Sequence, residues 1–373
     1  MVAVLVGWVY ESTSSVAQVA TLMAIRLVPP IVGGGLAAAV VDRLPRRRVL
    51  LWSEAACAAT VAGALGGVLV GSRPLVFAFV GLCGLVSMVS SVAGNALIPM
   101  VVEQDELPAA NGIHAVGQEA AMALGAVAGG VTLALGGAEG GLLANLASYG
   151  LALVLFGRIR LAGDSAARRA TASGGFVSGL RYVFASRTLI VVVGSFALGT
   201  LATGLVNATL PKFTNGLGLG ASGYGFAIAA LACGMMAGEA LTGAAADHVD
   251  ARWLAPGLGA MGGLFLAFAW AGSPMAALAL LAAFGVANGF TEIVMMTAIH
   301  QQADAAYHGR VFGVGSTIWR TTMLGAVVLA PAVDAVASPA QAVTIAAGFL
   351  FAGALAVQAT LSRTAPKAAP TPA

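Results

Sequence analysis

The sequence predicts an all-α polytopic membrane protein. Three observations carry that prediction: a composition almost without charge, eleven apolar runs long enough to cross a bilayer, and basic residues gathered at alternate junctions. Hydrophobic residues make up 59% of the 373 and charged residues 9%, with a mean hydropathy of +0.93. A soluble domain carries roughly 25% charge, so this chain lacks the side chains for a watery surface. Its 50 glycines fit the same solvent, because helices in lipid associate through small residues that let backbones approach.

The first apolar run, Val2 to Tyr10, has nine residues. That is about 14 Å of helix, too short for a hydrocarbon core of about 30 Å. It also lacks the basic start and small-residue cleavage site of a signal peptide. It reads as a partial first membrane helix, left by a misplaced start or a truncation. Eleven complete spans follow: Ser15 to Val41, Val49 to Val70, Pro74 to Ile98, Asn111 to Leu135, Gly140 to Phe156, Thr188 to Leu210, Ser222 to Ala246, Trp253 to Ala271, Pro274 to Ile299, Gly309 to Val333 and Pro339 to Leu361. Turn compositions such as Gly71-Ser72-Arg73-Pro74 and Gly136-Gly137-Ala138-Glu139 separate them.

Orientation follows from the basic residues. If the loop Asp42 to Arg48 is cytoplasmic, fourteen Lys and Arg fall inside and two, Arg73 and Lys212, fall outside. Arg26 and Arg320 lie within spans. The positive-inside rule therefore predicts a multi-pass protein of the cell (plasma) membrane with a cytoplasmic C-terminus.

The chain also repeats itself. At an offset of 205, Gly33, Leu36, Ala39 and Asp42 match Gly238, Leu241, Ala244 and Asp247. At an offset of 200, Leu124-Gly125-Ala126-Val127 matches Leu324-Gly325-Ala326-Val327. Two matches in one order at nearly one offset predict two parallel six-helix bundles, a pattern of transporters whose site lies between the halves. The expected units are residues 1–157, with the first helix partial, a cytoplasmic linker 158–187, a second bundle 188–362 and a disordered tail 363–373.

These features resemble the major facilitator superfamily, in its drug and siderophore exporter branch, over nearly the whole chain. Gly35, Asp42, Arg43, Arg46, Arg47 and Arg48 resemble the family's signature between helices 2 and 3, although Pro45 departs from it. Gly125-Ala126-Val127-Ala128-Gly129-Gly130 resembles the antiporter signature of helix 5 with its proline lost. Asn95 to Pro99, Leu107 to Asn111, Gly179 to Tyr182 and Gly309 to Phe312 resemble the same branch. The family's helix 4 arginine has no match between Pro74 and Ala93. The resemblance implies a major facilitator fold, alternating access and efflux of small amphipathic molecules of the kind behind multidrug resistance, by proton antiport. It also implies that helix 5 packs on helix 8 and helix 2 on helix 11.

Candidate site residues follow from charge inside the membrane, where an ionisable group is costly and points to function. Glu119, Glu239, Glu292, Arg26 and Arg320 qualify. Glu119 is the first choice for proton coupling, since a carboxylate at mid-depth can exchange its charge for a proton, with Glu239 and Glu292 behind it. The alternative is a static ion pair with Arg26 or Arg320. Asn288, Glu292 and Met296 share a helix face, and a Met-lined wall with one acid would suit an amphipathic, cationic substrate. Asn145 and Asn207 can glue helices as readily as bind ligands. Asp42 can latch against the N-terminus of the helix that starts at Gly309, where free amides carry partial positive charge. Asp247 is its weaker echo, with His248 and Asp250 in place of Arg43 and Pro45.

No zinc, nucleophile-turn or phosphate-loop motif is present, so the chain reads as a non-enzyme with no cofactor and no metal. Cys57, Cys83 and Cys233 are far apart in sequence and read as small buried hydrophobes. The expected partners are a small-molecule substrate, protons and membrane lipid, with no nucleic acid, and the expected state is a monomer. Two alternatives stay open: an importer or uniporter of the same superfamily, and a non-transporting truncated membrane protein.

Overall fold

The computed structural model describes residues 1–103, 106–158, 176–220, 222–244, 250–302 and 308–364. Among them are twelve α-helices and no strand. They are α1 (Val2–Thr13), α2 (Val16–Arg43), α3 (Arg46–Leu69), α4 (Arg73–Val101), α5 (Leu107–Gly157), α6 (Phe176–Ala185), α7 (Arg187–Gly216), α8 (Gly223–Ala244), α9 (Leu254–Ala269), α10 (Pro274–Gln302), α11 (His308–Val336) and α12 (Pro339–Thr364). By length and apolarity, seven stretches are clear candidate spans among the described residues, the longest being Ala120–Gly157.

Local chemistry places the ends. α1 stops where Ser14 turns left-handed at φ 50° and its amide closes on the Tyr10 carbonyl at 2.7 Å. The Ser15 side chain then caps α2 by accepting from the Gln18 amide, and Ser186 caps α7 through the Leu189 amide. α5 holds two of the expected spans in one helix of 51 residues, broken only at Gly137 with φ 64° and ψ −165°. That backbone region belongs essentially to glycine, so the Gly136-Gly137 turn is one residue wide. The expected linker is part structure: α6 lies in it, packed on α11 and α7, while 159–175 fall outside the described residues.

Helix packing is set by small residues. Gly234 and Gly238 of α8 abut the carbonyl oxygens of Ala282 and Val286 on α10, and Gly285 and Gly289 of α10 abut those of Leu231 and Met235 on α8. No side chain separates the two backbones. α9 joins them through aromatic stacking, Phe265 on Phe284 at 3.9 Å and Phe213 of α7 on Phe268 at 4.4 Å. In the first half, α4 presents Gly84 to the Arg26 carbonyl of α2, and Gly67 of α3 meets the Val76 backbone of α4. One continuous apolar core runs through both halves, and a smaller one (Val41, Val49, Leu50, Ala93, Leu97) closes the ends of α2, α3 and α4.

The halves meet along α5 with α8 and α2 with α11, the contacts the resemblance implied. α1 also touches helices of both halves, packing on α5 and α2 and reaching α7 and α8.

Candidate functional site

A cavity of about 130 Å³ opens between α7, α8, α9, α10 and α11. α10 contributes its i, i+3, i+4, i+7 stripe, Asn288, Thr291, Glu292 and Met295. The sequence placed Met296 on this face with Thr291 and Met295 close by; Thr291 and Met295 line the cavity and Met296 does not, because 3.6 residues per turn carry the wall to i+7 rather than i+8. Met235 of α8, Met261 of α9 and Trp319 of α11 add soft apolar surface.

The hydroxyls of α7 and α10 set the polarity. Ser195 donates to Val192, Thr200 to Phe196 and Thr291 to Ala287, each to a carbonyl of its own helix at 2.6–2.9 Å. Each hydroxyl has spent its single proton, so its oxygen offers only lone pairs to anything in the cavity. With the Glu292 carboxylate and no Lys or Arg in the lining, the cavity is a concentration of acceptors. It favours a donor-bearing or cationic guest.

Other nominated residues are dispersed. The Glu239 backbone amide lies against Gly289 of α10, one turn along α8 from Met235. Arg26 and Arg320 have exposed side chains, on two helices that pack together. Glu119 is within α5 and Gly35 and Asp42 are within α2, but the side chains of Glu119 and Asp42 are outside the described residues. Asp247 is outside them entirely. Gly309, Arg310 and Phe312 lie at the start of α11, without described side chains.

The basic loop is better defined on its arginine side. Arg43 is exposed at the end of α2, and Arg46 donates toward the Met100 sulfur at 3.5 Å. Three arginines open α3, where the helix dipole opposes them. Arg47 relieves this by donating to the Gly157 carbonyl at 2.6 Å, at the negative end of α5. The glycines of the antiporter-like stretch divide: Gly125 has no neighbour, Gly129 faces Ala3 and Val4 of α1, and Gly130 meets Gly225 of α8.

With the paired seams and a cavity among the helices of the second half in place, comparison with known proteins decides the family. The sequence profile of the Major Facilitator Superfamily matches residues 1–326. The chain belongs to that superfamily. No curated protein matches it. As a facilitator it is a multi-pass membrane transporter of small molecules.

Several features of this facilitator were missed from sequence. Cys57 and Cys83 lie close to each other on α3 and α4, near Tyr149, and Cys233 is exposed rather than buried. Sequence distance hides the first pair, because α3 and α4 are antiparallel neighbours. Lys212 of α7 and Asp334 of α11 form an ion pair at 2.6 Å. Asn207 accepts from the buried Tyr224 hydroxyl at 2.7 Å, which makes it helix glue. Glu54, within α3, bonds to Ser90 of α4. The rule about ionisable residues in spans would have found it.

Proposed function

We propose that this facilitator exports small amphipathic cations by alternating access in exchange for protons, with the α7–α11 cavity as its substrate site. The observation that carries the reading is the acceptor-rich, Met-lined cavity around Glu292 and Asn288. A carboxylate that can hold either a proton or an ammonium group couples the two by competition: one must leave before the other binds. Glu292 is the residue for that exchange, and Glu119 and Glu239 remain candidates for passing the proton on.

Two parallel bundles, 1–157 and 188–362, supply the moving parts, joined by the segment 158–187. On the positive-inside reading, the Arg46 to Arg48 end is cytoplasmic, and Asp42 against the α11 N-terminus is the inner latch. A contact of that kind is worth about 0.3 to 2 kcal/mol, strong enough to hold and weak enough to break.

The test is flux of a fluorescent organic cation in inverted and right-side-out vesicles under an imposed pH gradient. Glu292→Gln abolishes gradient-driven flux and Asn288→Ala reduces it. Export is supported if inverted vesicles accumulate the cation when their lumen is acid. Wild-type flux and pH dependence in Glu292→Gln sink the proposal, and uptake by right-side-out vesicles down a substrate gradient alone makes the protein a uniporter.

A further inference from the structure

A second cavity, of about 280 Å³, lies in the first half between α3, α4 and α5. Much of its lining has counterparts in the first. On α3, Leu50, Glu54 and Cys57 stand 204 residues before Leu254, Leu258 and Met261 of α9. On α4, Ser87, Ser90 and Ser91 stand 201 residues before Asn288, Thr291 and Glu292 of α10. On α5, Gln118 stands 201 residues before Trp319 of α11. Three helices in each half bring equivalent faces to one space.

The two cavities differ in where the acid sits. The second half has Leu258 on α9 and Glu292 on α10, whereas the first half has Glu54 on α3 and Ser91 on α4. Each keeps one carboxylate, carried on the other helix of the equivalent pair. The depth is similar: Glu54 is eight residues from the start of α3 and Glu292 ten from the end of α10, or about 12 and 15 Å.

The polarity is similar too. Ser87 donates to the Gly84 carbonyl at 3.1 Å and Ser90 donates to Glu54, so both oxygens turn lone pairs toward the space. No Lys or Arg lines it. The His114 Nε2 atom in the same lining is buried without a protein partner. A buried polar atom left unsatisfied is costly, and a guest that bonds to it removes that cost. Tyr149 and Phe156 supply the remaining polar and apolar wall.

We infer that the α3–α4–α5 cavity is a second binding site, for a small protonated amine held by Glu54, in addition to the site at Glu292. The inference rests on the proposed function only for the class of ligand. Its volume admits an amine carrying one ring or a short chain, smaller than most drug-sized molecules. Two sites related by the internal repeat give the transporter a place for one cation in each half.

Equilibrium dialysis of tritiated phenethylammonium against the purified full chain in detergent tests this. The wild type binds two per chain, Glu54→Gln binds one, Glu292→Gln binds one and the double variant binds none. Ser90→Leu fills the first-half cavity while keeping the carboxylate, and it too binds one, which guards against a folding defect in Glu54→Gln. A wild-type stoichiometry of none overturns the inference, as does a Glu54→Gln protein that binds as many as the wild type. A single wild-type site that Glu54→Gln removes and Glu292→Gln keeps leaves this inference standing and overturns the Glu292 substrate site, whereas a single site with the reverse pattern overturns this inference alone.

Discussion

The α8–α10 contact and the α5–α8 contact are both built on glycine, and they hold the molecule together in different ways. Between α8 and α10, four glycines interleave along two turns, each against the other helix's carbonyls. Between α5 and α8, one pair carries the approach: a Cβ on Gly225 would lie 2.5 Å from the Gly130 Cα, whereas Gly117 and Gly125 have no described neighbour within 4 Å. A contact repeated over two turns fixes both distance and angle. One at a single level fixes distance and leaves the angle free. The difference separates a rigid interior within the second half from a seam that can pivot, as alternating access requires.

Substitutions can break that comparison, the largest effect first. Gly234→Leu and Gly238→Val drive a side chain into an immovable backbone, so folded monodisperse protein is lost on size-exclusion chromatography. Even alanine at either place costs about 3 kcal/mol, the upper end of overpacking, and lowers the midpoint of thermal unfolding. Gly130→Ala leaves a folded protein, because its Cβ would lie 3.2 Å from the Gly225 backbone and the seam can open by a few tenths of an ångström, but flux falls about tenfold; Gly225→Ala, whose Cβ would lie 2.5 Å from the Gly130 Cα, needs a wider opening and lowers flux further. If these two unfold the protein as Gly234→Leu does, the seam is structural and not a pivot. Lys212→Met removes the ion pair to a partly exposed Asp334 and costs up to about 1 kcal/mol, read as a small fall in unfolding midpoint.

Gly125→Ala meets open space and keeps flux within about twofold of wild type, since alanine also favours the helix by roughly 1 kcal/mol. The smallest effect belongs to the loop before α9. The Arg252 guanidinium beside Asp250 holds its carboxyl below the usual carboxylate range. The pair therefore adds stability above that range and loses it as pH falls through the lowered value. Both groups face solvent, so Arg252→Ala lowers the unfolding midpoint only slightly and by the same amount from pH 7 to about pH 5, and that small difference fades below about pH 4.

Legibility from sequence followed the range of the interactions involved. Span positions were readable because hydrophobic length against bilayer thickness is a local property. The break at Gly137 was readable as a turn, but not its economy, because one glycine in a φ/ψ region closed to other residues replaces a whole loop. Within the site, Asn288 and Glu292 were placed on one face by helical period alone, and they line one cavity. Glu54 could have been found as an ionisable residue within a span, but its bond to Ser90, 36 residues away on another helix, could not.

The sequence by itself determined that this chain lives in lipid, crosses it as a family of helices and duplicates one design, because transfer energies and periodicity act along the chain. Tertiary structure alone decided which glycines touch, and that two sets of residues some 200 positions apart enclose comparable spaces. Those outcomes depend on how helices rotate against one another. In lipid that rotation is set by close backbone packing, which no single segment encodes.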